Sequence, residues 1–133
     1  MSTPAVVLPI GPDRYAVPTS AVREVVAGPR LTKLPTAPSS ILGAFNLRGE
    51  VVPMFDTAAL LGIGRLDEPV HVVVLNTPVG PAGLVVTGLP EVANLGEALR
   101  PSELRGTLGV YATEQGVVVL LDVDALLLQQ VSR

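Results

Sequence analysis

The stretch LGAFNLRGEVVPMFDTAALL at residues 42–61 recurs, without a gap, as LGVYATEQGVVVLLDVDALL at residues 108–127. Eight of the twenty aligned residues are identical, and the offset of sixty-six positions is half the chain. A repeat at this period indicates two copies of one supersecondary unit. Each copy places two apolar runs around a polar turn and then continues into an Ala-Leu-Leu segment. We therefore predict two equivalent units, each a β-hairpin followed by a short helix.

The turns of the two copies differ, and this difference points to a functional site. The first copy reads NLRG at residues 46–49, where the second reads ATEQ at residues 112–115. Residues shared by both copies are expected to encode the fold, so residues held by one copy are the better candidates for function. Arg48 is the main candidate, because a guanidinium combines five donors with packing area and is common at interface anchors. The competing interpretation is a turn arginine in solvent, next to a glycine that permits an unusual backbone conformation.

Short Val/Leu runs punctuated by glycine and proline extend the β pattern to the rest of the chain. Gly and Pro number 13 each among 133 residues, and they separate runs such as Ala5–Ile10, Val70–Leu75 and Val117–Leu121. Strands at this spacing are typical of sandwiches and barrels. The duplication favours two small barrels that share a hydrophobic core, with short helices. We expect one domain over residues 1–133, with lobes at roughly 1–66 and 67–133 and with the N-terminal strand able to pack with the second lobe.

Composition argues against several classes of function. The net charge is −3, aromatic residues make up 3%, and Lys and Arg do not cluster, so a nucleic-acid surface is not expected. The longest uncharged stretch, residues 69–90, is interrupted by Pro and Gly, which argues against a membrane span. Cysteine is absent, which excludes disulfides and thiol chemistry and fits a cytoplasmic protein.

Candidate catalytic and metal-binding residues are sparse. His71 is the single histidine, so neither a metal site nor a catalytic triad is expected, and His71 is interpreted as the start of a strand. Asp56 and Asp122 could form a carboxylate pair, but they occupy equivalent repeat positions before an apolar run. The simpler interpretation is that each one caps a short helix. We therefore expect no catalytic residues, no metal and no cofactor.

Several segments resemble the CheW-like family of chemotaxis coupling domains. The resemblance is clearest over residues 41–56, which read ILGAFNLRGEVVPMFD, and it extends to Tyr15–Pro18 and Val22–Val25. Residues 108–110 and 118–122 are similar to the C-terminal part of the family. The resemblance implies two five-stranded β-barrel lobes packed around a shared hydrophobic core, and it implies an adaptor without enzymatic activity.

The resemblance also implies partners and a binding surface. Family members connect the cytoplasmic tips of chemoreceptors to a histidine kinase, whose regulatory domain they bind. The receptor-binding arginine of the family corresponds to Arg48, and a segment of the same surface corresponds to Val22 and Glu24. We include Leu47 and Asn46, which flank the arginine, in the expected receptor-binding set. Glu24 is expected to lie exposed at the rim of this interface.

Three alternatives remain open at the level of sequence. The adaptor could serve a chemosensory-like pathway that controls pili or another output, which neighbouring genes would distinguish. The chain could be a regulatory fragment of a kinase, although no ATP-binding or phosphotransfer segment is recognisable. It could also be a ligand-binding β-barrel, which a core filled by Val and Leu would exclude and a large polar pocket would favour.

Overall fold

The computed structural model describes residues 3–35, 37–66 and 71–131. Strands dominate the described chain, and the helices are short. The strands are β1 (Thr3–Ile10), β2 (Asp13–Pro18), β3 (Val22–Ala27), β4 (Ile41–Leu47), β5 (Glu50–Phe55), β6 (His71–Thr77), β7 (Gly80–Val86), β8 (Glu91–Leu95), β9 (Ala98–Arg100), β10 (Thr107–Thr113) and β11 (Gly116–Leu121). The helices are α1 (Thr57–Leu61) and α2 (Val123–Val131), and a single 3₁₀ turn covers Thr19–Ala21. The all-β class predicted from the sequence is confirmed.

The predicted repeat is confirmed element by element. The strand boundaries and the helix starts of the two copies differ by sixty-six residues at each element. Strand β4 corresponds to β10, β5 corresponds to β11, and the start of α1 corresponds to the start of α2. Even a register shift in the hairpin recurs, between Ile41 and Gly43 in one copy and between Thr107 and Gly109 in the other. The copies diverge at the end, because Gly62 adopts a left-handed φ of 72° and ends α1, whereas α2 continues to Val131.

The strands form two sheets with matching order. The five-stranded sheet runs β3-β6-β7-β5-β4, and the six-stranded sheet runs β8-β1-β2-β11-β10-β9. In the five-stranded sheet, the edge strand β3 pairs with the β6–β7 hairpin from the other half of the chain, and β7 pairs in parallel with β5. In the six-stranded sheet, the edge strand β8 pairs with the β1–β2 hairpin from the other half, and β2 pairs in parallel with β11. Each sheet therefore contains strands from both halves. A division into lobes at roughly 1–66 and 67–133 stays a prediction, and each sheet crosses that boundary.

The expectation of closed five-stranded barrels was wrong. Among the described residues, strand pairing leaves two edges on each sheet, and the second sheet has six strands. The connection between β3 and β4 approaches the outer edge of β4, but of the residues described in this connection only Thr32 forms a bridge there, with Ala44. Pro29, Pro35 and Pro38 lie in this connection and have no N–H to extend a ladder. The connection thus contributes a single bridge at Thr32, and β9 is the longer counterpart of this bridge in the second copy.

The main core lies between the two sheets and is shared by them, as predicted. It takes side chains from β1 and β2 on one side, from β6 and β7 on the other, and from both helices. Leu8, Leu75, Leu84 and Leu126 are among its fully buried members. Burial of this apolar surface supplies the main driving force for joining the sheets. Neither helix in the described part of the chain has the length and apolarity needed to cross a membrane.

Both aspartates predicted as caps do begin helices. Asp56 Oδ1 accepts a hydrogen bond from the Ala59 N–H at 3.1 Å, and Asp122 Oδ1 accepts one from the Ala125 N–H at 3.1 Å. Asp56 has a second task, because its Oδ2 accepts the Leu66 N–H at 3.2 Å. It is also only 1% exposed, whereas Asp122 is half-buried.

This difference predicts unequal costs for the same substitution. We expect Asp56→Ala to destabilise the fold by about 2 kcal/mol, because it removes a cap and leaves two N–H groups without their acceptor. Asp122→Ala removes one cap from a less buried site and should cost about 1 kcal/mol. Urea denaturation of the two variants measures the difference. Equal losses would contradict the added role of Asp56 in holding the chain after α1.

Candidate functional site

The turn between β4 and β5 has a conformation that few side chains adopt. Arg48 has a φ of 49° and Gly49 a φ of 91°, and positive φ at both central residues is the requirement of a type I′ hairpin turn. Among the described residues, Arg48 is the one non-glycine with positive φ. The Asn46 side chain stabilises the turn by accepting the Gly49 N–H at 2.9 Å. The turn therefore holds a strained arginine at its tip.

The equivalent turn of the second copy is built differently. There the Thr113 hydroxyl donates to the Gly116 carbonyl at 2.7 Å and accepts the Gln115 N–H at 3.2 Å. The β6–β7 turn uses the same arrangement, with Thr77 and Gly80. The difference in sequence between the copies is thus also a difference in backbone shape.

The side chain of Arg48 forms an ion pair with Glu24 of β3. The Arg48 side chain is 71% exposed and that of Glu24 is 28% exposed. The expectation that Glu24 lies exposed at the rim was therefore incomplete, because its side chain is only partly exposed and its carboxylate is bound by the arginine. The pair joins β3 to the β4–β5 turn within the five-stranded sheet.

Val22 and Leu47 are placed on different faces of the sheet. Val22 packs against the core between the two sheets, whereas Leu47 packs against the cluster on the opposite face, which contains Phe45 and Val74. The pairing of β3 with β6 shifts in register between Val22 and Glu24. This shift is a β-bulge, which interrupts the alternation of side chains between the two faces of the sheet. The structure thus brings Glu24, Leu47 and Arg48 to one end of the sheet, whereas Val22 is partly buried and packs against the core.

Three residues that the sequence did not single out surround this site. The Arg23 Nε donates to Asn76 Oδ1 at 2.8 Å, and its Nη1 lies 2.9 Å from Glu50 Oε1. Both segments carry an arginine followed by a glutamate, Arg23-Glu24 on β3 and Arg48-Gly49-Glu50 at the turn, and this repeated pairing of charges is the sequence signal that could have revealed them.

A shallow recess of about 320 Å³ lies beside the turn. Its lining is shared between β3, the connection that follows β3, and β4, and comprises Val26, Pro29, Arg30, Thr32, Phe45, Asn46 and Leu47. Gly43 allows the connection to approach β4, because a Cβ there would lie 2.5 Å from the Thr32 carbonyl oxygen. The site therefore offers a cation at its tip and a partly apolar recess next to it, which suits contact with another protein.

Metal chemistry has no visible support in the described residues. His71 does begin β6, as the sequence predicted, and its Nδ1 is buried without a partner among the described atoms. No group of three or more His, Asp or Glu residues within residues 3–35, 37–66 and 71–131 could hold a metal ion.

An all-β domain of two sheets that presents an exposed arginine turn beside a partly apolar recess has the features of a protein-binding module. The chain belongs to the CheW-like domain family, whose model matches residues 4–131. It is a chemotaxis coupling adaptor, as its resemblance predicted.

Individual relatives support this assignment along most of the chain. The chemotaxis protein CheW of Klebsiella aerogenes is 32% identical over 89% of this chain and 77% of its own length. The probable chemotaxis protein CheW of Rhizobium etli is 28% identical over 88% of this chain and 82% of its own. The crystal structure of the scaffolding protein CheW from Thermoanaerobacter tengcongensis aligns with a TM-score of 0.82 and 25% identity, covering 95% of this chain and 88% of that one.

Proposed function

We propose that this adaptor binds the cytoplasmic signalling tip of chemoreceptors through the β4–β5 turn and β3. It also binds the regulatory domain of a histidine kinase, so that receptor and kinase are held in one cytoplasmic array. In this role it joins proteins and performs no catalysis. The receptor-binding set comprises Arg48, Glu24, Leu47 and Asn46 at the end of the sheet, with Val22 supporting β3 from the core side.

The observation that supports this proposal most strongly is the strained conformation of Arg48. A left-handed φ costs a non-glycine residue about 1 kcal/mol, and glycine would avoid that cost. The fold keeps an arginine in this conformation, exposes most of its side chain and secures it with Glu24. An arginine maintained at such a cost in one repeat copy, and replaced in the other, fits a role in binding rather than in folding.

The ligand-binding alternative loses its support from the core. The space between the sheets is filled by side chains such as Leu8, Leu75 and Leu84, which are essentially inaccessible to solvent. Neither sheet is closed by strand pairing in the described chain, so no barrel interior is enclosed there.

A three-component binding experiment tests the adaptor role. The components are this chain, a soluble dimeric fragment of a receptor signalling tip from the same organism, and the regulatory domain of a histidine kinase encoded beside it. We expect the chain to bind each partner alone, and a complex of all three to elute as one species in size-exclusion chromatography. A chain that binds the kinase domain but not the receptor fragment would contradict the receptor assignment of the Arg48 surface.

A further inference from the structure

The proposed receptor-binding residues lie on opposite edges of one sheet. Glu24 lies on β3, and Leu47 and Arg48 belong to β4 and its turn, yet the strand order places β6, β7 and β5 between β3 and β4. A binding surface composed of both edges exists only if the sheet curls and its two edges are held near each other. The ion pair of Glu24 with Arg48 is one such link, but it uses the side chain that must contact the partner.

A second link between β3 and the β4–β5 hairpin does not use the Arg48 side chain, which stays available for binding. Arg23 donates from two different nitrogens, to Asn76 on β6 at 2.8 Å and to Glu50 on β5 at 2.9 Å. Its side chain is 30% exposed and that of Glu50 is 53% exposed. Both Glu50 and Arg48 belong to the same hairpin, on either side of Gly49. A contact to Glu50 therefore limits where the arginine tip can move relative to β3.

The bulge in β3 explains how neighbouring residues serve both links. The register passes from Val22, opposite Leu75, directly to Glu24, opposite Val74, so Arg23 is the extra residue. As a result Val22 packs against the core between the sheets, while Val26, four residues later, packs against the cluster on the opposite face. An unbroken strand would place these two valines on the same face. Val22, which precedes the bulge, therefore packs against the core, and the bulge changes the direction in which the side chains of Arg23 and Glu24 point.

We propose that Arg23, together with Asn76 and Glu50, positions the β4–β5 turn against β3 and so presents Arg48 to the receptor. This inference rests on the proposed receptor-binding function. Arg23 itself does not touch the partner. An exposed ion pair contributes little to global stability, so loss of Arg23 should loosen the turn without unfolding the protein. The guanidinium reaches two acceptors in a fixed geometry, which the single ammonium of lysine does not reproduce.

Affinity for the soluble dimeric receptor fragment is the first readout. We expect Arg23→Ala to weaken binding by about fivefold to tenfold, Arg23→Lys to weaken it less, and the exchanged pair Arg23→Glu with Glu50→Arg to recover part of the loss. Arg14→Ala is the matched control, because Arg14 is an exposed arginine that makes a comparable hydrogen bond, to the Gln115 carbonyl at 2.7 Å, at the turn of the other copy. The control should bind like the unmodified chain.

The second readout detects the position of the turn directly. Because the chain has no cysteine, Ala27→Cys on β3 and Val51→Cys on β5 can accept spin labels without a background signal. Pulsed electron paramagnetic resonance measures the distance between the two spin labels. We expect a narrow distance distribution in the otherwise unmodified chain and a broader one with Arg23→Ala, at an unchanged melting temperature.

The outcomes separate this inference from the function on which it rests. Normal affinity for Arg23→Ala, with weakened binding by Arg48→Gly, would overturn the positioning role and leave the receptor site intact. Normal affinity for both would overturn the receptor site as well. A loss of affinity accompanied by a large drop in melting temperature, with no recovery in the exchanged pair, would show that Arg23 is merely structural and would also overturn the positioning role.

Discussion

Replacement of Arg48 by glycine is expected to weaken receptor binding about thirtyfold while leaving the melting temperature unchanged or slightly higher. An arginine that anchors an interface contributes on the order of 2 kcal/mol, which corresponds to that change in affinity. The stability of the fold should not suffer, because glycine adopts the observed φ of 49° without strain. The lost ion pair with Glu24 is mostly exposed on the arginine side and contributes little.

Two further substitutions at Arg48 distinguish the side chain from the backbone. Arg48→Ala removes the same contacts but keeps a side chain in the left-handed region, so it should be about 1 kcal/mol less stable than Arg48→Gly. Arg48→Glu places a carboxylate against Glu24 and should weaken binding more than either of them. The melting temperature and the receptor affinity are to be measured on the same preparations. Unchanged affinity in Arg48→Gly would reject the interface role.

Leu126→Ala should destabilise the fold much more than the equivalent substitution in the first copy, Leu60→Ala. Leu126 lies on α2, is 1% exposed and belongs to the core between the sheets. Its equivalent in the first copy is Leu60 on α1, which is only half-buried at the margin of the same core. We expect about 3 kcal/mol for Leu126→Ala and about 1 kcal/mol for Leu60→Ala.

Close packing around Leu126 adds to this expected cost. Gly106 approaches it so closely that a Cβ on the glycine would lie 2.2 Å from Leu126 Cδ2. Cavities in tightly packed places collapse poorly, and the penalty grows with the volume that stays empty. Urea denaturation of the two variants, with receptor affinity as a check on folding, measures the difference. A Leu60→Ala variant as unstable as Leu126→Ala would mean that the two helices pack equally well on the core.

The repeat was predictable because strand and turn positions follow from local sequence. Two apolar runs around a polar turn, followed by an aspartate and Ala-Leu-Leu, specify a hairpin and a capped helix wherever they occur. The pairing of strands was less accessible. The local sequence does not specify that β1 pairs with β8 or that β2 pairs with β11, since these contacts join segments far apart in the chain. The prediction of barrels was wrong for a related reason, because a sheet closes into a barrel only if its two edge strands pair with each other, and local sequence does not determine that pairing.

The candidate site was found in part, and its omissions have a physical cause. Comparison of the two copies identified Arg48 and its neighbours at the turn. The role of Glu24 was only partly anticipated, because an alternating pattern predicts which face a residue occupies but not its partner across the sheet. Arg23 was missed because the bulge beside it is invisible to a period of two. Glu50 and Asn76 become meaningful only when the curled sheet brings them to Arg23.

The crossing of strands between halves makes this single chain equivalent to a domain-swapped homodimer whose two protomers have been joined. Each half donates its first hairpin, β1–β2 or β6–β7, to the sheet built on the other half. In a symmetric dimer any surface feature occurs twice. Joining the halves allows them to differ, and here only one of them carries an arginine at the turn. Under the proposed function the adaptor is therefore monovalent at this surface, so an array gains one such contact for each copy it recruits, and its avidity comes from the number of adaptors assembled.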